Sequence, residues 1–529
     1  MIEKSSPKQG TAPWSEGASD PVRAPLDHDT TADVCIIGAG IAGLATAYEL
    51  ASQGRRVVVL DDGPVGGGES GKTTAHLSSV IDDGFSRIEK VHGVEVSRRC
   101  YESHAAAIDW YESIVSRERI DCDFERVDGF LFLPPGENPE LLFHEQAAAQ
   151  RAGVSDVERV LSAPLTFDTG PCLRFPRQAQ IEPLAFLLAL AGAVERMGGR
   201  ICCGSHVQKI EDRSGLEVQC ENGTSVRAGA VVVATNSPIN DIVTMHTKQY
   251  AYRTYAIALP IERGVVPHAL YWDTSQEAGK PDGPYHYVRV GRNPVSIRGG
   301  TDSHELLIVG GEDHKTGQAD DGAARWARLE AWAKARFPIT GAVEFRWSGQ
   351  VMEPVDYLAF IGPNPTGPAG VYIVTGDSGM GMTHGAIAGM LLPDLIAGRK
   401  NPWADVYKPG RLTPRTVLEY ARENINVAAQ YTDWVLPGGV DAVDDIPPGQ
   451  AAVVREGLKL LACYRDPSGL MHTRSAVCPH LGGIVKWNSA EMTWDCPCHG
   501  SRFDHLGEVI NGPANSDLAE ATSECGVSV

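Results

Sequence analysis

Apolar residues along this chain fall into two rhythms: short continuous runs bounded by glycine or charge, and longer stretches that repeat every three to four positions. The run at residues 34–37 (Val-Cys-Ile-Ile) predicts a buried strand. Residues 41–53 follow with helical periodicity and stop at Gly54, a C-cap signal. Residues 56–61 form a second buried run, so ordered structure opens as a βαβ unit with short connections. Residues 85–165 carry helical patterns with charged faces, and a further helix begins at Pro183 and ends at Gly198-Gly199. Strand-like segments at 200–203, 205–211 and 216–220 lead to a continuous buried run at 228–234. The stretch 250–311 is strand-rich and predicts an antiparallel sheet; 323–337 is helical, 371–375 another buried strand and 383–396 another helix. Residues 402–433 read as a connector that wraps back over the first domain. Beyond them the texture turns to Gly, Pro and short strands, with an Asp466-Pro-Ser-Gly469 turn between strand-like runs at 458–464 and 470–476. No internal repeat is visible.

Composition narrows the class. The 529 residues allow two to four domains. Hydrophobic residues are 43% and charged residues 22%, an ordinary globular balance. A formal net charge of -20 repels phosphate backbones, which argues against nucleic acid as a partner; the acidity reads first as serving solubility, with docking to a basic redox partner as a second use. Of the twelve cysteines, Cys478, Cys496, Cys498 and Cys525 crowd the C-terminal tenth, a pattern of metal ligation and not of a disulfide framework. Residues 1–31 are polar and Pro/Gly/Ser-rich, without the apolar core of a signal peptide, and are expected to be a flexible tail. The apolar stretch 183–194 is too short to span a bilayer, and a cytoplasmic location is expected.

Two motifs carry chemistry. Gly38-x-Gly40-x-x-Gly43 lies between the first strand and first helix, with Asp61 closing the second strand. Gly38 permits the tight turn, Gly40 lets backbone approach a pyrophosphate, Gly43 lets helix pack on strand, and Asp61 accepts from ribose hydroxyls. The helix N-terminus offers N–H groups and positive dipole to the phosphates. A second match, Gly66-x-Gly68-x-x-Gly71, lacks a preceding strand and reads as a loop near the pyrophosphate. Residues 33–76 resemble the start of the D-amino-acid oxidase family of FAD enzymes. Residues 228–236, with Thr235, resemble that family's later strand returning to the cofactor. Trp347-Ser-Gly-Gln350 and Gly362 resemble the segment before the final FAD contact. Gly376-Asp-Ser-Gly-Met-Gly381-Met382-Thr383 resembles the loop whose backbone reaches the flavin, leading into a helix at Thr383. The resemblance, over residues 33 to about 400, implies FAD and not NAD. It also brings His76 near the place where some members attach flavin covalently.

Cys478-x-His480 is followed, fifteen residues later, by Cys496-x-x-His499. Two Cys and two His also suit tetrahedral zinc. The surroundings, Cys478-Pro-His-Leu-Gly482 and Cys496-Pro-Cys-His-Gly-Ser501, resemble the two cluster loops of Rieske proteins, and Gly512-Pro513 resembles their covering proline loop. The resemblance implies a [2Fe–2S] cluster with Cys478, His480, Cys496 and His499 as ligands. High-potential Rieske proteins bridge the loops with a disulfide; here Gly483 takes one cysteine's place and Cys498 has no partner. Phe503 replaces a tyrosine donor, while Ser501 is kept. Fewer donors imply a potential toward the low end, near roughly -150 mV, against a quinol-oxidising role.

The fold class expected is therefore an α/β FAD-binding Rossmann-like domain with an antiparallel-sheet substrate domain (32–405), a linker (406–433) and an all-β Rieske domain (434–529). The function implied is a dehydrogenase of a small amine or amino acid. Hydride passes to FAD, and single electrons pass to the cluster and on to a ferredoxin-like protein or quinone. Two alternatives stay open: a 2-hydroxy-acid dehydrogenase on the same fold, or a reductase component feeding an oxygenase. Tyr255, Tyr287 and Arg289 are the substrate-site candidates, with Arg289 clamping a carboxylate; packed tyrosines and a solvated arginine are the competing reading. The polar stretch 310–315 either lines the site or is a loop at a sheet edge.

Overall fold

The computed structural model describes residues 8–18, 20–213, 215–240, 243–274, 285–292, 304–435, 439–440 and 442–521. Cys525 and parts of the 250–311 stretch lie outside them.

The first strand, Thr30–Ile37, runs parallel to Val57–Leu60 on one side and to Ser225–Val233 on the other. Arg200–Cys202 and Val371–Thr375 extend the sheet in parallel at either side, and Phe360–Pro363 adds an antiparallel strand. Ile36, Val59, Val232 and Ile373 are fully buried. Strands covered on both faces are apolar at successive positions, which is why this sheet reads as runs and not as alternation. Ile41–Ser52 and Gly381–Ile396 cross on one face. A Cβ at Gly389 would stand 2.8 Å from that of Ala45, so small residues set the helix separation.

A second sheet supplies the other half of the domain. Gln249–Glu262 lies between Phe345–Pro354 and His304–Lys315, both antiparallel to it; His286–Arg292 and Ala269–Asp273 follow. The C-terminal domain is all-β: a three-stranded sheet built on the Lys459–Arg465 and Met471–Ser475 hairpin, and a four-stranded sheet of short strands. This matches the expected fold class.

Two expectations need correction. The stretch 85–165 is not all helical: Glu125–Phe132 is a strand of the second sheet, between the helices Val94–Glu118 and Glu140–Arg151. Its end is marked by Pro134-Pro135-Gly136, a breaker signal. The N-terminal segment is not a flexible tail from Lys8 onward. Lys8–Gln9 pairs with Phe345 and Arg346, and Leu26 is fully buried. Trp14, only 2% exposed, donates its indole N–H to the Gly71 carbonyl at 2.6 Å. A buried aromatic with a satisfied N–H adds to these anchors on an otherwise polar segment. The connector contains one long helix, Val417–Gln430. It does pack on the first domain: Arg411 forks onto Asp356, both contacts at 2.7 Å. At its far end Tyr431 and Trp434 donate to the carbonyls of Leu481 and Gly482.

Candidate functional site

Between the two sheets lies a cavity of about 950 Å³, whose wall runs from the C-terminal ends of the parallel strands to the antiparallel sheet. At its dinucleotide end the backbone leaves no room for side chains. Gly38 has φ +108, and a Cβ there would sit 2.4 Å from the Ala234 carbonyl oxygen; a Cβ at Gly43 would stand 1.9 Å from that of Gly38. Gly40 and Asp61 line the cavity. Asp61 accepts from the N–H of Ala39 at 2.5 Å and of Gly63 at 2.8 Å, and burial pushes its carboxyl up. The Gly66–Gly71 loop curls against this end: Gly66 N–H donates to Ala39, and Ser70 Oγ accepts the Ile41 N–H that opens the first helix. This cradle, closed to Cβ atoms and lined with acceptors, fits the ADP half of FAD.

Thr235, Gly381 and Met382 also lie on the wall. Gly376 turns just behind it with φ +71. The helix begins at Gly381, two residues before the expected start, and a Cβ there would stand 2.6 Å from an Asp377 side-chain oxygen. Thr383 therefore falls inside the helix and away from the cavity, where its hydroxyl meets His104 Nδ1 at 2.8 Å.

The substrate candidates separate. Tyr287 is on the wall, its hydroxyl 2.9 Å from Thr254 Oγ1 and its ring edge-on to His76 at 5.5 Å. Tyr255 is not. Tyr250, Tyr252, Thr254 and Ala256 share the cavity face of their strand, so by two-residue alternation Tyr255 points to the opposite face. There it stacks on His314, meets Trp326 edge-to-face, and its hydroxyl lies 2.9 Å from His314 Nε2. Arg289 is not a carboxylate clamp either. It is 3% exposed, and donates to the carbonyls of Thr74 at 2.5 Å and Ile181 at 3.2 Å; burial pulls its guanidinium down to about 10. It props the Lys72–His76 strip of the wall from behind.

Sequence reasoning missed the acids. Asp82, Asp83, Asp313, Glu353 and Asp377 line the cavity beside Tyr285 and Tyr287. Tyr285 donates to Asp82 at 2.7 Å, Arg87 pairs with Asp83 at 3.1 Å, and Ser378 donates to Glu353 at 2.8 Å. Burial pushes the carboxyls of Asp313 and Asp377 up to about 7, and burial with Asp83 nearby pushes Glu353 well up. Asp313 Oδ1 is buried with no hydrogen-bond partner among the described groups. Only the doublet Asp82-Asp83 and the polar 310–315 stretch hinted at these residues; the rest come from distant segments.

The four cluster-ligand candidates converge in the C-terminal domain as a thiol pair and an imidazole pair. Cys478 and Cys496 are buried with their thiols within hydrogen-bonding reach. His480 and His499 stand edge-to-face with ring centres 5.0 Å apart, and His499 Nδ1 has no hydrogen-bond partner among the described groups. Among the described residues no three His, Cys, Asp or Glu side chains close on one ion. Two pairs of ligands suit a binuclear centre better than one tetrahedral ion. Cys498 is a free thiol, and a Cβ at Gly483 would stand 2.6 Å from its sulfur. The histidine side faces the first domain: His246 packs against His480 at 4.7 Å and His499 at 6.0 Å. The Gly500 carbonyl accepts from Gln350 at 3.0 Å.

Among the described residues no helix is long and apolar enough to cross a membrane. Residues 33–395 match the model of the FAD dependent oxidoreductase family, and residues 437–522 that of the Rieske [2Fe-2S] domain. The chain is 29% identical to a putative Rieske 2Fe-2S iron-sulfur protein, YhfW, of Bacillus subtilis, over 96% of each chain. It is 25% identical to gamma-glutamylputrescine oxidoreductase of Escherichia coli, covering 70% of this chain and 85% of that one. In fold it is similar to glycine oxidase from Geobacillus kaustophilus, with a TM-score of 0.58 at 18% identity over 72% of this chain and 99% of that one. The cradle and the paired ligands thus agree with the family matches: the chain belongs to the FAD-dependent oxidoreductases of the D-amino-acid oxidase type, binds FAD, and carries a Rieske [2Fe-2S] domain fused behind it.

Proposed function

We propose that the protein is a dehydrogenase of small amines that passes electrons singly through its own cluster to an external one-electron acceptor. The observation that carries this reading is the acidic, aromatic wall of the substrate cavity, with Arg289 committed elsewhere. Carboxylates in a low-dielectric cavity attract a cation and repel the carboxylate of an amino acid or 2-hydroxy acid. The Escherichia coli relative is named for gamma-glutamylputrescine, which carries a primary amine at one end and an amino-acid group at the other, so its name supports amine oxidation without separating the two classes.

Bound FAD supplies a two-electron acceptor and the cluster a one-electron outlet. The chain's own groups do the rest. Asp82 fixes the Tyr285 hydroxyl and Thr254 fixes that of Tyr287, so two ring faces and their edges shape the pocket. Asp313, whose carboxyl burial raises to about 7, is the candidate base that takes a proton from the bound ammonium, leaving the amine free to give up hydride. The packing of His480 and His499 on His246 supports an outlet that faces the domain holding FAD. The Gly66–Gly71 match is part of the FAD wall and not a second nucleotide fold, which disfavours the reductase alternative.

Anaerobic addition of primary amines, amino acids, 2-hydroxy acids and NAD(P)H to purified protein tests this. Bleaching of the flavin by amines alone, with aldehyde or imine product, is expected. Bleaching by 2-hydroxy acids or by NADH would replace the reading with one of the alternatives.

A further inference from the structure

The stretch 509–517 belongs to the Rieske domain, yet it faces the dinucleotide end of the flavin cavity. Ile510, Asn511 and Asn515 share a wall with Asp61, Asp62 and His206 of the first domain. Asp61, at the end of its strand, marks the adenosine end of the cradle. Direct bonds join the two sides there. Asn515 Nδ2 donates to the carbonyls of Val207 at 2.9 Å and Gln208 at 3.1 Å. His206 bridges the Asn515 carbonyl at 3.3 Å and Asp62 at 3.6 Å. Asn511 Nδ2 donates to Glu69 Oε1 at 3.1 Å, in the turn whose Ser70 caps the first helix. The other side of the stretch touches the cluster: Ala514 N–H donates to Ser501 Oγ at 3.0 Å, in the loop that carries Cys496 and His499.

We propose that residues 509–517 are a shared wall, closing the adenosine end of the FAD site on one side and covering the cluster loop on the other. FAD is then held between the two domains, not by the flavin domain alone. The chemistry suits adenosine: the ribose hydroxyls and the exocyclic amino group are donors, and this end of the cavity offers acceptors from Asp61, Asp62 and Glu221. Cofactor release then requires the Rieske domain to lift from Val207 and Glu69, so a chain with a docked cluster keeps its flavin.

The test uses the full-length chain carrying Asn515→Ala or Ile510→Ala. Ile510 is 49% exposed, so its truncation leaves no buried hole. Flavin is removed, FAD is titrated back by fluorescence, and iron content and the reduced-cluster paramagnetic signal are read on the same samples. The dissociation constant for FAD is expected to rise about tenfold in Asn515→Ala and several-fold in Ile510→Ala, with iron and cluster signal unchanged. Unchanged FAD affinity in both variants overturns the proposal. So does an affinity that falls only in proportion to lost iron, because the stretch would then act through folding of the cluster domain. If Asn515→Ala does not fold, Ile510→Ala decides alone.

Discussion

Replacing Glu491 by glutamine removes a negative charge from the seam between the two domains. Glu491, in the Rieske domain, accepts from Arg253 Nη2 at 2.6 and 2.7 Å and from Arg502 Nη2 at 3.1 Å; Arg253 is fully buried. Burial alone would raise the Glu491 carboxyl, but Arg253 and Arg502 outweigh it and hold it at about 2 against an ordinary 4.5. Each unit is worth about 1.4 kcal/mol, so ionised Glu491 contributes about 3 kcal/mol. Because the folded value is depressed, this contribution is complete above about pH 4.5 and is lost as pH falls toward 2. Breaking a buried pair from one side costs about 3–5 kcal/mol, since it strands the opposite charge. Glu491→Gln is therefore expected to destabilise the docked cluster domain at pH 7 by about 3 kcal/mol. Urea unfolding of the loaded protein, followed by visible circular dichroism of the cluster, measures it. Adding Arg253→Met should recover part of the loss by removing the stranded guanidinium. A Glu491→Gln protein within about 1 kcal/mol of the parent would refute the reasoning.

Other outcomes follow from the same geometry. A quaternary ammonium ligand should bind more tightly as pH rises from 6 to 8, because a carboxyl at about 7 goes from roughly one-tenth to nine-tenths ionised over that span. Asp313→Asn should reduce the rise without abolishing it, since Asp377 on the same wall is also raised to about 7, and an affinity independent of pH in the parent would count against the acidic wall. Gly43→Ala should yield protein with little FAD, since the new methyl would overlap the Gly38 carbonyl; flavin-to-protein ratios after purification decide. Potentiometry should place the cluster near roughly -150 mV, and Ser501→Ala should lower it further by removing a donor near Cys478. A value in the high-potential range would show that other donors compensate for Phe503 and Gly483.

What the sequence revealed and what it hid divide along physical lines. The dinucleotide turn and the cluster loops were legible because each is local: glycines forced by close approach, and ligand pairs two or three residues apart. The parallel strands were legible because burial on both faces writes itself as unbroken Val and Ile. The acidic wall was not, since Asp82, Asp313, Glu353 and Asp377 meet only after two sheets close on each other. Tyr255 and Arg289 failed for different reasons. Tyr255 needed the strand's facing, which Tyr250 and Tyr252 share on the other side; Arg289 points toward the cavity layer but is used up by two backbone carbonyls. The N-terminal segment misled because its composition is that of a tail while Trp14 and Leu26 anchor it. The seam at Glu491 and the 509–517 wall depend on how two domains dock, which no single motif encodes.

The proposed function turns on an electron relay within one chain, across a docked seam. Rapid anaerobic mixing of the loaded protein with a reducing amine, at protein concentrations spanning about a hundredfold, tests it most directly, with flavin absorbance and the reduced-cluster paramagnetic signal followed together. Flavin bleaching is expected first, then cluster reduction at a rate independent of protein concentration. Cluster reduction that speeds up in proportion to concentration, or a cluster that stays oxidised beside a bleached flavin, would contradict it.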